Sequence, residues 1–293
     1  MGGSDDEDLC SSKKQKGEPL AGWCGRGDPA IKHITSKDGI SIAYERSGTG
    51  PPLVLVHGAA ADHTRWAPIL PGLEDHFTVF AVDRRGRGQS GDAESYTIQC
   101  EYEDVVAVVH SIAGSANLLG HSYGAVCSLE ASLKMSNLRK LILYEPPISV
   151  QVKKNYPPDA IDRMNLSLKV GEPEKALLIF LREIVGIPQN EIDMLRSSSS
   201  WSSRVAAAHT IPREEASVDS YIFEPERFSH MEIPTLLLLG GESPPFYSAA
   251  IETLRRSIPH SRMAMMPGQR HAAMDTAPEL FLREVIGFLT EKE

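Results

Sequence analysis

Eight short apolar or alternating runs, separated by segments of helical period, constrain this chain more than any other feature. Leu53-Val54-Leu55-Val56 follows Pro51-Pro52 and is continuously apolar, as a strand covered on both faces requires. Phe77 to Val82 is a second such run, and Leu118-Leu119, Leu141 to Leu143, Leu236 to Leu239 and Arg262 to Met266 continue the series. Ahead of them, Ile31 to Thr35 and Ile40 to Arg46 alternate apolar with polar across an Asp38-Gly39 turn, the pattern of a half-exposed hairpin. Helix-period segments lie between the runs: Thr64 to Leu73, Ile98 to Ile112, Ala125 to Met135, Ala249 to Arg256 and Pro278 to Leu289. Strand and helix in alternation specify an α/β fold, here a mostly parallel eight-stranded sheet with helices on both faces.

One interval breaks the rhythm. From Pro146 to Ile233 no strong strand signal occurs, but helical stretches such as Lys175 to Val185 do. So long an interval is not a structureless connection inside a compact domain, and it reads as an inserted helical lid over 146–233. The core is then 31–145 with 234–293. Residues 1–30 run through Ser4-Asp5-Asp6-Glu7-Asp8 and Lys13-Lys14-Gln15-Lys16 with few large apolar side chains, the composition of a disordered N-terminal tail. That tail lacks the positive start and apolar core of a secretory signal.

Composition narrows the partners. A formal net charge of −9 over 293 residues argues against a nucleic-acid binder, which needs a basic face for phosphates. Cys10, Cys24, Cys100 and Cys127 form neither a CxxC pair nor a zinc-like spacing, so no metal site or disulfide framework is expected. No apolar run approaches the roughly 18 residues of a membrane span. The expectation is a soluble cytoplasmic protein that needs no cofactor, binds no membrane and acts on a small-molecule substrate.

The chemistry concentrates in turns after strands. Gly120-His121-Ser122-Tyr123-Gly124 stands directly between a buried strand and a helix. In that setting the small flanking residues let a strained turn project the serine hydroxyl, and the helix N-terminus offers N–H groups to a developing anion. Together with His57-Gly58-Ala59 after the third strand, Asp83-Arg84-Arg85-Gly86-Arg87-Gly88-Gln89-Ser90 after the fourth and Gly268-Gln269-Arg270-His271 after the eighth, this resembles the α/β-hydrolase fold superfamily, its serine esterase-like members, over about Ile31 to Phe288.

The resemblance implies roles for matching residues. Ser122 is the nucleophile and His271 its general base. The backbone N–H groups of Tyr123 and Ala59 form the oxyanion hole. His57, Gly58 and His121 flank these positions as scaffolding or pocket lining, and Trp201 sits where a lid could line the substrate pocket. The triad acid departs from the usual pattern: the turn Leu239-Gly240-Gly241-Glu242-Ser243-Pro244 has Ser243 where most relatives have Asp. Glu145, at the end of the sixth strand, is the favoured acid, because some branches of the fold carry it there; Glu242 is the alternative, and Asp275 reads as a helix cap. Asp83 is expected to bond backbone amides, with a basic patch of Arg84, Arg85 and Arg87 as the sharper alternative. Met263, Met265, Met266 and Met274 read as strand and pocket packing, and Cys127 as a buried hydrophobe.

The implied activity is a cofactor-independent serine hydrolase cleaving small to medium carboxylic esters or lactones through an acyl-enzyme. Two other outcomes use the same fold: a lyase or cyclase of specialised metabolism working by acid–base chemistry on the Ser–His pair, and a non-catalytic ligand-binding protein, which the missing Asp at position 243 keeps open.

Overall fold

The computed structural model of the chain describes residues 30–150 and 156–292. The expected tail therefore lies, but for Ala30, outside the described residues, as do Cys10 and Cys24. Eight strands form one sheet in the order β1-β2-β4-β3-β5-β6-β7-β8. They are β1 Ala30–Thr35, β2 Ser41–Ser47, β3 Pro52–Val56, β4 Thr78–Val82, β5 Ala116–His121, β6 Leu138–Tyr144, β7 Thr235–Gly240 and β8 Ser261–Met266. The first two pairings, β1 with β2 and β2 with β4, are antiparallel, and every later one is parallel.

The period of two in each buried strand sorts side chains onto two faces. Val54, Val56, Leu118, Leu141, Leu143, Leu237 and Leu239 meet helices α2 (Ile98–His110), α3 (Tyr123–Ser132) and α9 (Pro245–Ser257). Leu53, Leu55, Leu119, Ile142, Leu236 and Leu238 meet α1 (Leu70–Glu74) and α11 (Pro278–Thr290) on the other face. Burying both faces is what the continuous apolar runs demand. β8 is different. At the sheet edge it leaves Met263 40% and Met265 54% exposed, and only Met266 and Met274 pack as expected.

The helix expected over Thr64 to Leu73 is instead a 3₁₀ turn, His63–Trp66, followed by the short α1. Pro68 cannot donate to the preceding turn, and Pro71 suits the first turn of a new helix but not the middle of an old one. Between β6 and β7 the chain forms α4 (Ala160–Lys169), α5 (Pro173–Ile179), a π-type turn Phe180–Ile184, α6 (Gln189–Arg196), α7 (Trp201–Ala206) and α8 (Ile211–Ser220). These helices carry an apolar cluster of their own, including Met164, Leu177, Phe180, Ile192 and Ile211, which packs on Ala60 of the core. α10 (Ala273–Thr276) is a single turn before α11. No helix among the described residues is long and apolar enough to cross a membrane.

The loop after β4 ties the core together. Asp83 is fully buried; its Oδ1 accepts from the N–H of His63 at 2.8 Å and from His63 Nδ1 at 2.7 Å, and its Oδ2 accepts from the Gln89 N–H at 2.9 Å. Arg84 forks onto Glu101 at 2.7 and 2.8 Å, and Arg85 onto Asp104 at 2.7 and 2.7 Å. Arg87 reaches Glu214 and the Thr210 hydroxyl of the insertion. These arginines are thus committed to buried carboxylates rather than forming a basic patch, because an unpaired buried guanidinium is costly.

The hydrogen bond to Asp83 raises the His63 pKa above its ordinary value, against partial burial, which lowers it. Folded His63 therefore holds its proton more tightly than unfolded His63. The stability from this linkage is complete below the ordinary histidine value of about 6.5 and is lost as pH rises through the higher folded value. The Tm difference between the protein and His63→Gln should therefore shrink from pH 6 to pH 9; a gap that stays constant across the range would show that the proton on His63 contributes nothing.

Candidate active site

The loops after β3 and β5 lie side by side, because the strand order reverses direction between those two strands. Crevices at such switch points are where open α/β sheets bind ligands. Ser122 is the link between β5 and α3, with φ 54 and ψ −125. Its N–H donates to the Tyr144 carbonyl at 2.8 Å, and its own carbonyl accepts from the Ala125 N–H at 2.8 Å. The flanking glycines are required by close approach: a Cβ on Gly124 would lie 2.3 Å from the His57 carbonyl oxygen, and one on Gly120 would lie 2.6 Å from Ala125 Cα. Ala60 (φ 51), Ser122 (φ 54) and Glu145 (φ 45) are the non-glycine residues at positive φ among the described residues, and all three are at this end of the sheet. Such conformations cost of order 1–3 kcal/mol each and persist only where the surroundings over-determine them.

Glu145 is fully buried directly after β6. Its Oε2 accepts from His271 Nδ1 at 2.6 Å, and its Oε1 accepts from the Gly240 N–H at 2.7 Å. The alternative acid, Glu242, is exposed, and Ser243 presents a buried hydroxyl with no hydrogen-bond partner among the described residues. Asp275 caps neither α10 nor α11, whose N-cap positions are Ala272 and Ala277, and instead pairs with Arg65, whose Nη1 donates to its Oδ1 at 2.7 Å. The loop bearing His271 is held from three sides. The Tyr144 hydroxyl donates to the Arg270 carbonyl and accepts from the Ala273 N–H at 3.1 Å. His121 Nε2 donates to the His271 carbonyl at 2.9 Å; burial, then the neighbouring His271, pushes the His121 pKa down, which keeps its ring neutral. The Tyr247 ring stacks on the imidazole at 4.6 Å between centroids.

Ser122 and His271 line one cavity of about 40 Å³, space for a few water molecules. Gly58, Ala59 and His121 line it too, with an apolar wall from Phe180, Leu181, Val185, Ile187 and Leu195, and with Arg65 and Arg204. A second cavity of about 230 Å³ shares Arg65, Leu195, Ala272 and Asp275 with the first. Two expected lining residues are elsewhere. His57 is fully buried, donating from Nδ1 to the Gly58 carbonyl at 2.7 Å and accepting the Arg84 N–H at 3.3 Å, so it braces the turn from behind. Trp201 packs within the insertion, with the Arg196 guanidinium 5.7 Å from its ring centroid. As the first residue of α3, Tyr123 has no carbonyl within that helix for its N–H, and its side-chain hydroxyl bonds Tyr96 at 2.6 Å. Burial pushes the Cys127 thiol pKa up, consistent with an inert hydrophobe. No group of three or more His, Cys, Asp or Glu is arranged to hold a metal ion among the described residues.

Tyr144, Tyr247, Arg65 and Arg204 are unmarked in the sequence. Only Tyr144, adjacent to Glu145 at a strand end, offered a positional signal.

Residues 53–284 match the model of the alpha/beta hydrolase family, and the chain belongs to that family. It is 26% identical over 263 residues to a 2-(acetamidomethylene)succinate hydrolase of Mesorhizobium japonicum, covering 85% of this chain and 92% of the relative. It is 25% identical over 262 residues to a pimeloyl-[acyl-carrier protein] methyl ester esterase of Aeromonas hydrophila subsp. hydrophila, covering 85% and 100%. Among solved structures, an alpha/beta hydrolase from Sphaerobacter thermophilus DSM 20745 superposes with a TM-score of 0.78 at 35% identity, covering 88% of this chain and 100% of that one. These likenesses to named hydrolases support a hydrolase activity.

Replacing Tyr144 by Phe would leave the Arg270 carbonyl and Ala273 N–H without their shared partner. The Ala273 N–H is buried, and an unmet buried group costs about 1–3 kcal/mol, so Tyr144→Phe should lower stability by that order in denaturant melts and mobilise the His271 loop. An unchanged midpoint would show that the loop is fixed without the hydroxyl.

Proposed function

We propose that the chain is a cofactor-independent serine hydrolase of small to medium carboxylic esters or lactones, working through an acyl-enzyme beneath the 146–233 insertion as a lid. The observation that supports it most directly is the buried Glu145 carboxylate bridging His271 Nδ1 and the Gly240 N–H, with Ser122 on the same cavity. A carboxylate at Nδ1 fixes the tautomer that leaves Nε2 free to accept a proton. The named activities of the relatives, hydrolysis of a succinate derivative and of a methyl ester, point the same way.

The steps follow from these groups. Ser122 Oγ bonds to the acyl carbon while its proton passes to His271 Nε2, and the carbonyl electrons move to an oxyanion received by the Tyr123 and Ala59 N–H groups. The tetrahedral species collapses, the C–O bond breaks, and the departing alkoxide takes the proton from His271 and leaves as the alcohol. Water then attacks the acyl carbon, giving its proton to His271; the ester to Ser122 breaks, the acid leaves and Oγ recovers the proton. Glu145 stabilises the imidazolium in both halves.

Ser122→Ala should lower kcat/KM on p-nitrophenyl butyrate by at least about 10³-fold. Retained turnover would refute the nucleophile, and turnover of the natural substrate without a trappable Ser122 acyl adduct would favour a lyase over a hydrolase. Glu145→Gln should cost about 10³–10⁴-fold in kcat and Glu242→Gln less than about two-fold; the reverse order would move the acid to Glu242.

A further inference from the structure

Five arginines of the described residues are buried: Arg65, Arg84, Arg85, Arg87 and Arg204. Four face carboxylates, Asp275, Glu101, Asp104 and Glu214 respectively. Arg204 does not. It is 6% exposed, yet among the described residues no carboxylate oxygen stands within ion-pair distance of its guanidinium. Its Nη1 donates to the Ala60 carbonyl at 3.2 Å and its Nε to the Ser200 hydroxyl at 3.4 Å, while Nη2 has no hydrogen-bond partner among the described residues. Burial, followed by the nearby charge of Arg65, lowers its pKa to about 10 against the more distant charges of Asp275 and Asp62, so it is cationic at neutral pH. A buried cation without a counter-ion is one of the costlier arrangements a fold can hold.

Its position says what would relieve that cost. Arg204 lines the cavity that holds Ser122 and His271. Arg65 lines it too, but it shares its charge with Asp275, which also borders the cavity. Among the lining side chains the two arginines thus face one carboxylate, while the buried Asp62 acts on Arg204 only from beyond ion-pair reach. The same cavity is lined by the apolar side chains of Phe180, Leu181, Val185, Ile187 and Leu195. A short apolar chain ending in an anion matches this surface, and a planar carboxylate matches the guanidinium fork.

We propose that Arg204 anchors a free carboxylate of the substrate, so that the preferred substrates are small esters or lactones bearing one such group, with Arg204 as a specificity-determining binding residue. This rests on the hydrolase reading above for its reaction but not for its binding step. The same side chain also braces the Ala60 carbonyl beside the oxyanion turn, so the test must separate anchoring from bracing.

The monoethyl esters of succinate, glutarate and adipate would each be assayed against the ethyl ester of the corresponding half-amide. The protein should prefer at least one anionic ester by 10-fold or more. Arg204→Met should lower that anionic-to-amide ratio of kcat/KM by roughly 10–100-fold, the loss of one charge-assisted hydrogen-bonded pair, chiefly through KM, and Arg204→Lys should recover part of it. Free glutarate or adipate should raise the Tm of the wild-type protein and of Ser122→Ala, and not that of Arg204→Met, a readout that needs no turnover. Equal loss on both members of every pair, with the variant folded, would make Arg204 a brace only and overturn the proposal. So would a wild-type protein with no anionic preference and no diacid shift. Should Arg204→Met fail to fold, the Arg204→Lys ratio and the wild-type preference decide. A wild type that hydrolyses no ester, p-nitrophenyl butyrate included, yet is stabilised by the diacids would refute the hydrolase reading and leave the anchor standing.

Discussion

The carboxylate of Glu145 is the interaction on which the site depends. It is fully buried, no arginine or lysine forms an ion pair with it among the described residues, and its two oxygens are met by one imidazole N–H and one backbone N–H. Those contacts join the end of β6 to the end of β7 and to the loop that leaves β8. Three separate segments of chain are thereby fixed to one functional group. Buried charge is tolerable only where such hydrogen bonds replace water, so the backbone around Glu145 has little freedom to drift. The Tyr144 hydroxyl and the His121 ring reinforce the same loop from the sheet side.

A second set of buried charges does a different job. Arg84 grips Glu101 and also donates to the Gly58 carbonyl at 3.0 Å, while Arg87 grips Glu214 in α8. The loop after β4 thus touches the turn after β3 with Arg84 and the insertion with both Arg84, 3.4 Å from Glu214, and Arg87. Burial, followed by the like charge of Arg84, lowers the Arg87 pKa to about 9. Helices that pack on Ala60 through apolar side chains and on Arg87 through charge are registered against the core at two points, which sets the position of Phe180, Leu181 and Arg204 over the cavity.

Much of this was legible in the sequence, for identifiable reasons. Leu53 to Val56 and Leu236 to Leu239 announce buried parallel strands because they are short and are bounded by Pro51-Pro52 and by Gly240-Gly241, and the turns after them fall where the topology must place a crevice. The single helix read over Thr64 to Leu73 failed because period was weighed above Pro68 and Pro71. The packing expected of Met263 and Met265 failed because an edge strand looks like a central one until its neighbours are known. His57 sits in a motif, but the motif serves the turn and not the cavity surface. Arg65 and Arg204 carried no signal at all: each is far in sequence from Ser122 and His271, and only the insertion's path brings Arg204 to them. Whether a lone arginine is solvated or buried without a counter-ion is a property of three-dimensional neighbours.

The three left-handed residues, Ala60, Ser122 and Glu145, carry a further consequence. Their combined conformational cost, at about 1–3 kcal/mol each, is comparable with the whole margin of a folded domain, about 5–15 kcal/mol. That tension is concentrated in the turns after β3, β5 and β6, and among the described residues no non-glycine residue within a strand has a positive φ. Warming therefore has a local way to lower the free energy before the sheet gives way: these turns can slacken into ordinary backbone geometry. The geometry of these turns is thus set to loosen at a lower temperature than the sheet that carries them.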